Sequence, residues 1–391
     1  MTSKHLLNQS TFYQQIMVEN FRTFRKFEIN NLGRINLFVG HNNAGKTSLL
    51  EAISAHSCCL KFSNFISNIL LNRSSSFMLS ASGGIDLGKL DLAEKMLTVF
   101  YPTQSLPYTF TITVKNFQNE EYKLKAQFYP SKEISDLDPR FLGQANDQFF
   151  AYHYLEKYAF LGEWRMTIND QVFHNTQVFA PFHLVSSKGD NNLTLPSSVF
   201  HDILSHRDPL AHLAIFSHLK RYKLLDQFTQ EMAKVFPEIV NIDLIPYPDG
   251  KGSNIYINTV LDHQLPLNNF GDGLKRWYYL LGEMLINQNS IHCIEEIDTT
   301  FDHESQPELC RLLVEYAEKF NNQLFVTSHN LEFIDTLLNT LYDDVDIADE
   351  DDPVRLFTLK KKENNGIIHL WSMTGKDAYR SRNLYNLELR G

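Results

Sequence analysis

The clearest chemical pattern in the chain is the segment Gly40-His41-Asn42-Asn43-Ala44-Gly45-Lys46-Thr47, which matches GxxxxGK[ST] without a gap. The apolar, strand-like run Ile35–Val39 leads into it, and helical spacing of apolar residues from Thr47 to Ala55 follows. In such a segment glycines let backbone N–H groups surround phosphate oxygens, and the helix N-terminus adds its dipole. Lys46 would face the β- and γ-phosphates, and Thr47 would offer a hydroxyl to Mg²⁺. The sequence therefore predicts a site for a nucleoside triphosphate and Mg²⁺ formed by Gly40, Asn42, Asn43, Ala44, Gly45, Lys46, Thr47 and Ser48.

Two adjacent carboxylates follow a second apolar run. Ile291–Ile294 is typical of a short buried strand, and Glu295 and Glu296 come directly after it. A phosphate-loop NTPase needs carboxylates at such a strand end to hold Mg²⁺ and to orient the attacking water. We predict that Glu295 binds the metal and that Glu296 polarises the water. A surface acidic turn after a core strand is the alternative, which the phosphate loop in the same chain disfavours.

A histidine ends a third apolar run. Gln323–Val326 is strand-like and leads into Thr327-Ser328-His329, which lies 33 positions after Glu296 with a predicted helix, Gln306–Lys319, between them. A strand–helix–strand unit of this kind places both strand ends side by side at the nucleotide edge of a parallel sheet. His329 could sense the γ-phosphate there, although a lone histidine after a strand is more often structural.

A glycine-rich turn, Gly271-Asp272-Gly273, opens the helical pattern Gly273–Ile286. Such a turn presents bare N–H groups to an anion. Because Gly40–Thr47 already hold the phosphates of the chain's own nucleotide, this anion would belong to another subunit. An ordinary helix N-cap is the alternative that the residues leave open.

Composition limits the remaining possibilities. The chain has 391 residues, 43% hydrophobic, with 36 basic against 46 acidic residues and a net charge of −10. These values indicate a globular protein with a sizeable core, and bulk charge does not favour binding to nucleic acid. A small basic cluster, Lys220, Arg221 and Lys223, could contact DNA, but a solvated face is the better interpretation.

Nothing in the sequence indicates export, a membrane span or a metal-binding cysteine motif. The first residues lack the apolar core of a signal peptide, and no run approaches 18 apolar residues. The four cysteines, Cys58, Cys59, Cys293 and Cys310, form no CxxC pair, which argues against both a zinc site and a disulfide framework. A cytoplasmic, reducing location with no membrane contact is therefore expected.

Weaker patterns outline the rest of the chain. They predict strands at Tyr13–Glu19 and Phe24–Ile29, antiparallel strands within 97–128, one helical stretch over 210–236, and strand Ile255–Thr259. A hairpin is predicted from Val354 to Leu370, with its turn at Asn364-Asn365-Gly366. The acidic run from Asp343 to Asp352 is interpreted as a solvated loop rather than a metal cluster.

These motifs occur in the order phosphate loop, Gly-Asp-Gly turn, carboxylate strand and Ser-His strand, and in this the chain resembles the ABC-clade ATPases of the RecF and OLD (overcoming-lysogenization-defect) type. The resemblance is most specific at Asn42–Ile53 (NNAGKTSLLEAI) and extends to Val18–Phe24 (VENFRTF) and Thr327–Phe333 (TSHNLEF). It implies an α/β fold: a P-loop NTPase with an ABC-type ATPase head, a mixed sheet, and an inserted region of β-structure followed by helices.

The resemblance also implies a division of the chain and a mode of assembly. Residues 1–60 would form the first part of the head, 61–260 the insertion that partly continues the head, and 261–391 its last part. The heads would pair as a homodimer or a higher even-numbered oligomer. Each ATP would lie between one phosphate loop and the partner's signature turn, our name for Gly271-Asp272-Gly273. ATP binding would close the dimer, and hydrolysis by Glu296 would open it.

The chain departs from the family pattern in three respects. Glu295 stands where an aspartate is usual, and Gly271 where a serine is usual, which removes a hydroxyl donor. The glutamine-bearing loop of the family has no clear counterpart among Gln104, Gln127 and Gln177. Slow turnover is the expected consequence.

Only 62 residues follow His329, too few for the nuclease domain of OLD nucleases. The resemblance therefore suggests a lone ATPase that controls a separately encoded effector, a nuclease or toxin, in anti-phage defence. Two alternatives remain: a RecF-like ATPase that binds DNA directly, and a nucleotide-gated scaffold with little or no hydrolysis.

Overall fold

The computed structural model describes residues 12–57, 99–102, 108–130, 160–179, 183–189, 195–261, 263–343, 352–362 and 366–390. Sixteen strands lie within these residues: β1 (Tyr13–Phe21), β2 (Phe24–Ile29), β3 (Ile35–Val39), β4 (Tyr108–Asn116), β5 (Glu121–Pro130), β6 (Phe160–Ile168), β7 (Gln171–Phe179), β8 (His183–Gly189), β9 (Ser198–His201), β10 (Ile239–Pro246), β11 (Ser253–Thr259), β12 (Gln264–Pro266), β13 (Ile291–Ile294), β14 (Gln323–Ser328), β15 (Val354–Lys361) and β16 (Ile368–Thr374). The α-helices of the same residues are α1 (Lys46–Ser57), α2 (Pro209–Arg221), α3 (Leu225–Val235), α4 (Asp272–Ile286), α5 (Gln306–Lys319), α6 (Leu331–Tyr342) and α7 (Gly375–Tyr385).

A six-stranded sheet in the order β16-β15-β3-β14-β13-β9 positions the predicted chemistry. Five of its strands are parallel, and β16 pairs antiparallel with β15. Every residue of β3, β13 and β14 is buried, as expected for a parallel sheet that is covered on both faces. The carboxyl ends of parallel strands share one edge, so the segments that follow β3, β13 and β14 meet there. The mixed sheet confirms the predicted fold class.

Helix α1 lies between this sheet and a second one. The second sheet is antiparallel, in the order β2-β1-β4-β5-β6-β7-β8. Every residue of α1 except Thr47 is buried, and its apolar side chains share one core cluster with β1, β4 and β5 and with residues of β3 and β13. A helix that is covered on all sides needs apolar or small residues on all sides, and the run Leu49–Ala55 supplies them. The helix that begins at the phosphate loop is therefore fixed by packing on both faces.

Helices α2 to α6 cover the opposite face of the six-stranded sheet, and the small sheet β10-β11-β12 packs with them. The single helix predicted over 210–236 is wrong: α2 ends at Arg221, Lys223 adopts a left-handed φ of 60°, and α3 starts at Leu225. The break reverses the chain so that Leu219 and Phe228, both fully buried, reach the same core.

The C-terminal hairpin is confirmed by the pairing of β15 with β16. Gly366, in the predicted turn, has a positive φ of 67°, whereas Asn364 and Asn365 lie outside the described residues. The interpretation of the acidic run as solvated is wrong for Asp352, whose carboxylate is buried and accepts hydrogen bonds from the Tyr342 hydroxyl (2.6 Å) and the Lys376 amide (2.9 Å). Residues 344–351 lie outside the described residues.

Of the four cysteines, Cys293 and Cys310 are buried thiols that form no disulfide among the described residues, and Cys58 and Cys59 lie outside those residues. No helix of the described part of the chain is both long enough and apolar enough to cross a membrane.

Candidate functional site

The loop between β3 and α1 has a backbone that its glycines make possible. Gly40 and Gly45 have φ angles of 145° and 99°, and Asn43 has 64°. A Cβ on Gly40 would lie 2.3 Å from the Leu359 carbonyl oxygen, and one on Gly45 would lie 2.8 Å from Cδ1 of Ile368. Neither glycine can carry a side chain here without displacing its neighbours, so the predicted residue types follow from steric limits.

Lys46, the first residue of α1, is buried and lies across this loop. Its Nζ donates to the carbonyl oxygens of Gly40 (2.7 Å) and His41 (3.2 Å). Burial lowers the pKa of Lys46, while the charges of Glu296, Asp298 and Glu295 act in the opposite direction. The structure thus holds an ammonium group within a loop of phosphate-binding geometry, with carboxylates of the neighbouring strand end close enough to influence it.

The next residue, Thr47, meets the first carboxylate. Its hydroxyl donates to Oε1 of Glu295, which joins the first turn of α1 to the end of β13. A hydroxyl and a carboxylate oxygen are hard donors of the kind that Mg²⁺ prefers, so the residues present fit the predicted ion.

The second carboxylate meets the histidine. Oε2 of Glu296 pairs with Nδ1 of His329, and the Glu296 amide donates to Oγ1 of Thr327 (2.9 Å). Glu296 adopts a left-handed φ of 46°. Ligand atoms of Glu296, Asp298 and His329 all lie within 4.8 Å of one another. The strand order β3-β14-β13 therefore brings Glu296 and His329 together although 33 positions separate them.

A cleft of about 750 Å³ opens along this edge. The loop residues Asn42 to Ser48 and Glu296 line one side, and Arg22, Thr23, Phe100 and Pro102 line the other. The volume lies within the range of small-molecule sites. The sequence analysis did not predict the second side. Arg22 and Thr23 belong to the segment Val18–Phe24, which resembles the family but had no assigned role, and nothing in the sequence distinguished Phe100 or Pro102.

An ion pair fixes this second side to the helix of the phosphate loop. Nε of Arg22 lies 2.9 Å from Oε2 of Glu51 in α1, with both side chains almost completely buried. Because α1 carries Lys46 and Thr47 one turn earlier, this ion pair connects Arg22 on the second side of the cleft to the helix that carries the first.

The signature turn lies elsewhere. Gly271 is the exposed N-cap of α4, and Asp272 begins the helix. Asp272 pairs with Nζ of Lys275 (2.6 Å) and with Nη2 of Arg207 (2.5 Å). These partners, Lys275 first, lower the pKa of Asp272 to about 2. Among the described residues, the lining of the cleft does not include this turn, so the structure does not bring it to the phosphate loop of its own chain.

Arg276 connects the signature helix α4 to the carboxylates, and sequence reasoning missed it. The side chain is buried; Nη2 donates to the carbonyl oxygens of Glu295 (2.6 Å) and Glu296 (2.9 Å), and Nη1 donates to Oγ1 of Thr299 (2.8 Å). The available signal was a charged residue within the largely apolar run that ends at Leu281.

The glutamine-bearing loop stays unplaced. Gln127 lies in β5 and is not among the described residues that line the cleft, Gln177 belongs to β7, and Gln104 lies outside the described residues.

Known proteins resemble this chain to different extents. An "ATP/GTP phosphatase" of Helicobacter pylori is 23% identical over 366 residues, which is 90% of this chain and 93% of that protein. The DNA replication and repair protein RecF of Leptospira biflexa is 26% identical over 125 residues, 32% of this chain and 29% of RecF. A solved Smc head domain derived from Pyrococcus furiosus, bound to the C-terminal domain of ScpA, covers 96% of this chain and 100% of its own at 11% identity, with a TM-score of 0.47.

A protein-family model matches most of the chain. The family is described as "AAA domain, putative AbiEii toxin, Type IV TA system", and the match covers residues 35–335. It begins at β3, before the phosphate loop, and ends in α6, after His329.

Proposed function

The chain belongs to the AbiEii-type AAA family of P-loop ATPases, and from this we propose that it is an ATP-binding and ATP-hydrolysing switch that works as a dimer of heads. The observation that carries the proposal is the meeting of Lys46, Thr47–Glu295 and Glu296–His329 at one edge of the parallel sheet, beside a cleft of about 750 Å³.

Each of these side chains has a distinct task in the proposal. Lys46 leaves the loop carbonyls to contact the β- and γ-phosphates, and the loop amides bind the phosphate oxygens. Thr47 and Glu295 would hold Mg²⁺, which supplies charge neutralisation at the phosphates when it is bound. Glu296 accepts a proton from the attacking water, and His329, paired with it, contacts the γ-phosphate.

The signature turn belongs to the partner's nucleotide in this proposal. Gly271 is exposed and lies outside the lining of its own cleft, which leaves the N–H groups at the start of α4 available to a second copy. Two heads would then enclose two nucleotides, in a homodimer or a larger even-numbered assembly. Hydrolysis removes the γ-phosphate that both copies contact and releases the closed state.

A separately encoded effector, a nuclease or toxin of a defence system, is the proposed target of the switch. The printed description of the family names a toxin and a Type IV TA system, which supports an effector of this kind. The Helicobacter pylori relative named as an ATP/GTP phosphatase supports nucleotide hydrolysis.

Replacement of Glu296 tests the proposed chemistry. Glu296→Gln keeps the size of the side chain but cannot accept the proton from water, so ATP binding should persist while phosphate release falls by about 100-fold or more. The trapped ATP should also hold the dimer closed, which light scattering would detect. Hydrolysis by this variant at the wild-type rate would overturn the assignment. Phosphate release by the wild type would in turn exclude a scaffold without hydrolysis.

Direct DNA binding is the second candidate, favoured by the likeness to RecF and by the exposure of Lys220, Arg221 and Lys223 on and after α2. It predicts binding that ATP strengthens and that weakens steeply with salt, because phosphate contacts release counterions. A gel shift with and without nucleotide separates it from control of an effector.

A further inference from the structure

A short segment of the inserted region touches the signature turn. Ser205–Arg207 forms a single 3-10 turn just before α2 and packs against α4. From this turn, Arg207 donates through Nη2 to Oδ2 of Asp272, whose Oδ1 lies 2.6 Å from Nζ of Lys275. The carboxylate at the centre of the signature turn therefore binds two cations, one from the insertion and one from α4.

Those cations resolve an electrostatic conflict within the turn. A carboxylate at the place where a phosphate should bind would repel it. Arg207 and Lys275 together outweigh the charge of Asp272, so this group of three side chains carries a net charge of +1. Two other carboxylates nearby keep their negative charge but are held by backbone amides of their own segment: Asp202 accepts from the amides of Leu204 and Ser205, and Asp208 accepts from the amide of Leu210.

A buried histidine faces the same turn. His206 is 1% exposed, its Nε2 lies 3.9 Å from Oδ2 of Asp272, and neither ring nitrogen has a hydrogen-bond partner among the described residues. Buried polar groups without partners are rare in folded proteins, so this one points to a partner that arrives or to a rearrangement of Asp272.

The surface around Arg207 has the character of an interface. Its side chain is 57% exposed, and three large apolar side chains within four positions of it in the chain are exposed as well: Ile203 at 37%, Leu204 at 54% and Leu210 at 61%. Exposed apolar side chains in the same segment as an exposed cation are of the kind that a contact with another chain would cover.

We propose that Arg207 is an arginine finger that the inserted region supplies to the γ-phosphate of ATP bound by a second copy of the chain, and that Asp272 holds it in position. This inference rests on the proposed ATP-dependent dimer. A guanidinium has five N–H donors, so Arg207 can keep its bond to Asp272 and still contact phosphate oxygens. Its donors take the place of the hydroxyl that Gly271 lacks. Lys275 is the weaker candidate because its side chain is only 16% exposed.

Single variants give the first test. Arg207→Ala should lower kcat for ATP by about 100-fold or more, the scale of a lost transition-state cation, with a smaller change in KM. Arg207→Lys should recover part of the loss because it keeps the charge but not the fork of donors. Arg165→Ala, an exposed arginine of β6 that pairs with Glu163 (2.7 Å), is the matched control and should keep the wild-type rate. Unchanged melting temperatures would show that all three variants fold.

Complementation between inactive variants tests whether Arg207 acts on the partner's nucleotide. Lys46→Ala and Arg207→Ala chains, co-expressed with different tags and purified over both, contain one complete composite site per dimer. This mixed dimer should hydrolyse ATP at about half the wild-type rate, as one of two equivalent sites is intact. Wild-type kcat in Arg207→Ala, or a mixed dimer no faster than the Arg207→Ala protein, would overturn the inference while leaving the ATPase intact. If wild-type chains with different tags did not co-purify in ATP, the proposed dimer itself would fail.

Discussion

The edge of the parallel sheet and the signature turn differ in how they are held. At the sheet edge, Lys46 donates to loop carbonyls, Thr47 donates to Glu295, Glu296 pairs with His329, and α1 is covered by sheets on both sides. At the signature turn, Gly271 is exposed and Asp272 depends on two side-chain ion pairs, one of them to a residue that is more than half exposed.

This difference teaches which half of the proposed site is complete in one chain. A group that must orient water needs a rigid support, because small displacements of reacting groups are costly. A group that must meet a partner needs an exposed surface and freedom to rearrange. Arg276 connects the sheet edge to the signature turn, since it belongs to α4 and its guanidinium donates to the carbonyl oxygens of Glu295 and Glu296.

The largest effect on ATP binding and hydrolysis should come from a substitution at the edge of the parallel sheet, the rigid region of the two. Lys46→Ala removes the only cation that the phosphate loop itself contributes, so we expect ATP binding and hydrolysis to fall by about 1,000-fold or more. Isothermal titration with ATP and a phosphate-release assay would measure both. Lys26→Ala, an exposed lysine of β2, is the control and should bind ATP normally. If Lys46→Ala bound ATP as tightly as the wild type does, the nucleotide would have to bind outside the phosphate loop.

A smaller effect should follow from cutting the link between the regions. Arg276→Met leaves the carbonyls of Glu295 and Glu296 without their buried donor, which should destabilise the fold by about 2–4 kcal/mol. Loss of support for the left-handed backbone of Glu296 should lower kcat by about 10- to 100-fold. Urea unfolding and phosphate release would measure the two effects.

Arg311→Met is the matched control for this variant. It removes an arginine of α5 that is half exposed and paired with Glu308 and Glu315, so its cost should stay within about 1 kcal/mol. If Arg276→Met and Arg311→Met behaved alike in both assays, Arg276 would not connect the regions as described.

The smallest expected effect is a loss of fold stability at low pH, and it comes from His292, the buried histidine of β13. His292 lies three positions before Glu295, is fully buried, and bonds to His201 (2.9 Å) and to Ser290 (3.0 Å). Burial lowers the pKa of His292 from 6.5 to about 4. Between these values the unfolded chain binds more protons than the folded chain, so stability falls as the pH drops.

The complete shift corresponds to about 3 kcal/mol by pH 4. His292→Gln lacks this dependence, so its free energy of unfolding should approach that of the wild type as the pH falls from 7 to 4. Urea titrations across that range would measure the difference, and parallel curves for the two proteins would contradict the assignment.

Much of the rigid region could be predicted from local patterns. Apolar runs that end in Gly40, Glu295 and His329 indicated three strands of one parallel sheet, and the structure has them as β3, β13 and β14. The broken helix over 210–236 could not be predicted, because both halves have helical spacing and only the shared core requires the reversal at Lys223. The division at residues 60 and 260, and the roles of the site residues, stay predictions.

By itself, the sequence determined the type of loop that Gly40–Thr47 form, since the positive φ angles of Gly40 and Gly45 favour residues without side chains. Only the tertiary structure decided which charged side chains support this loop and the other candidate residues. Arg22 pairs with Glu51, Arg276 donates to the carbonyl oxygens of Glu295 and Glu296, and Arg207 pairs with Asp272. Each of these pairs joins residues from different elements, and a charged side chain finds its partner only after the packing of those elements has fixed the distance between them.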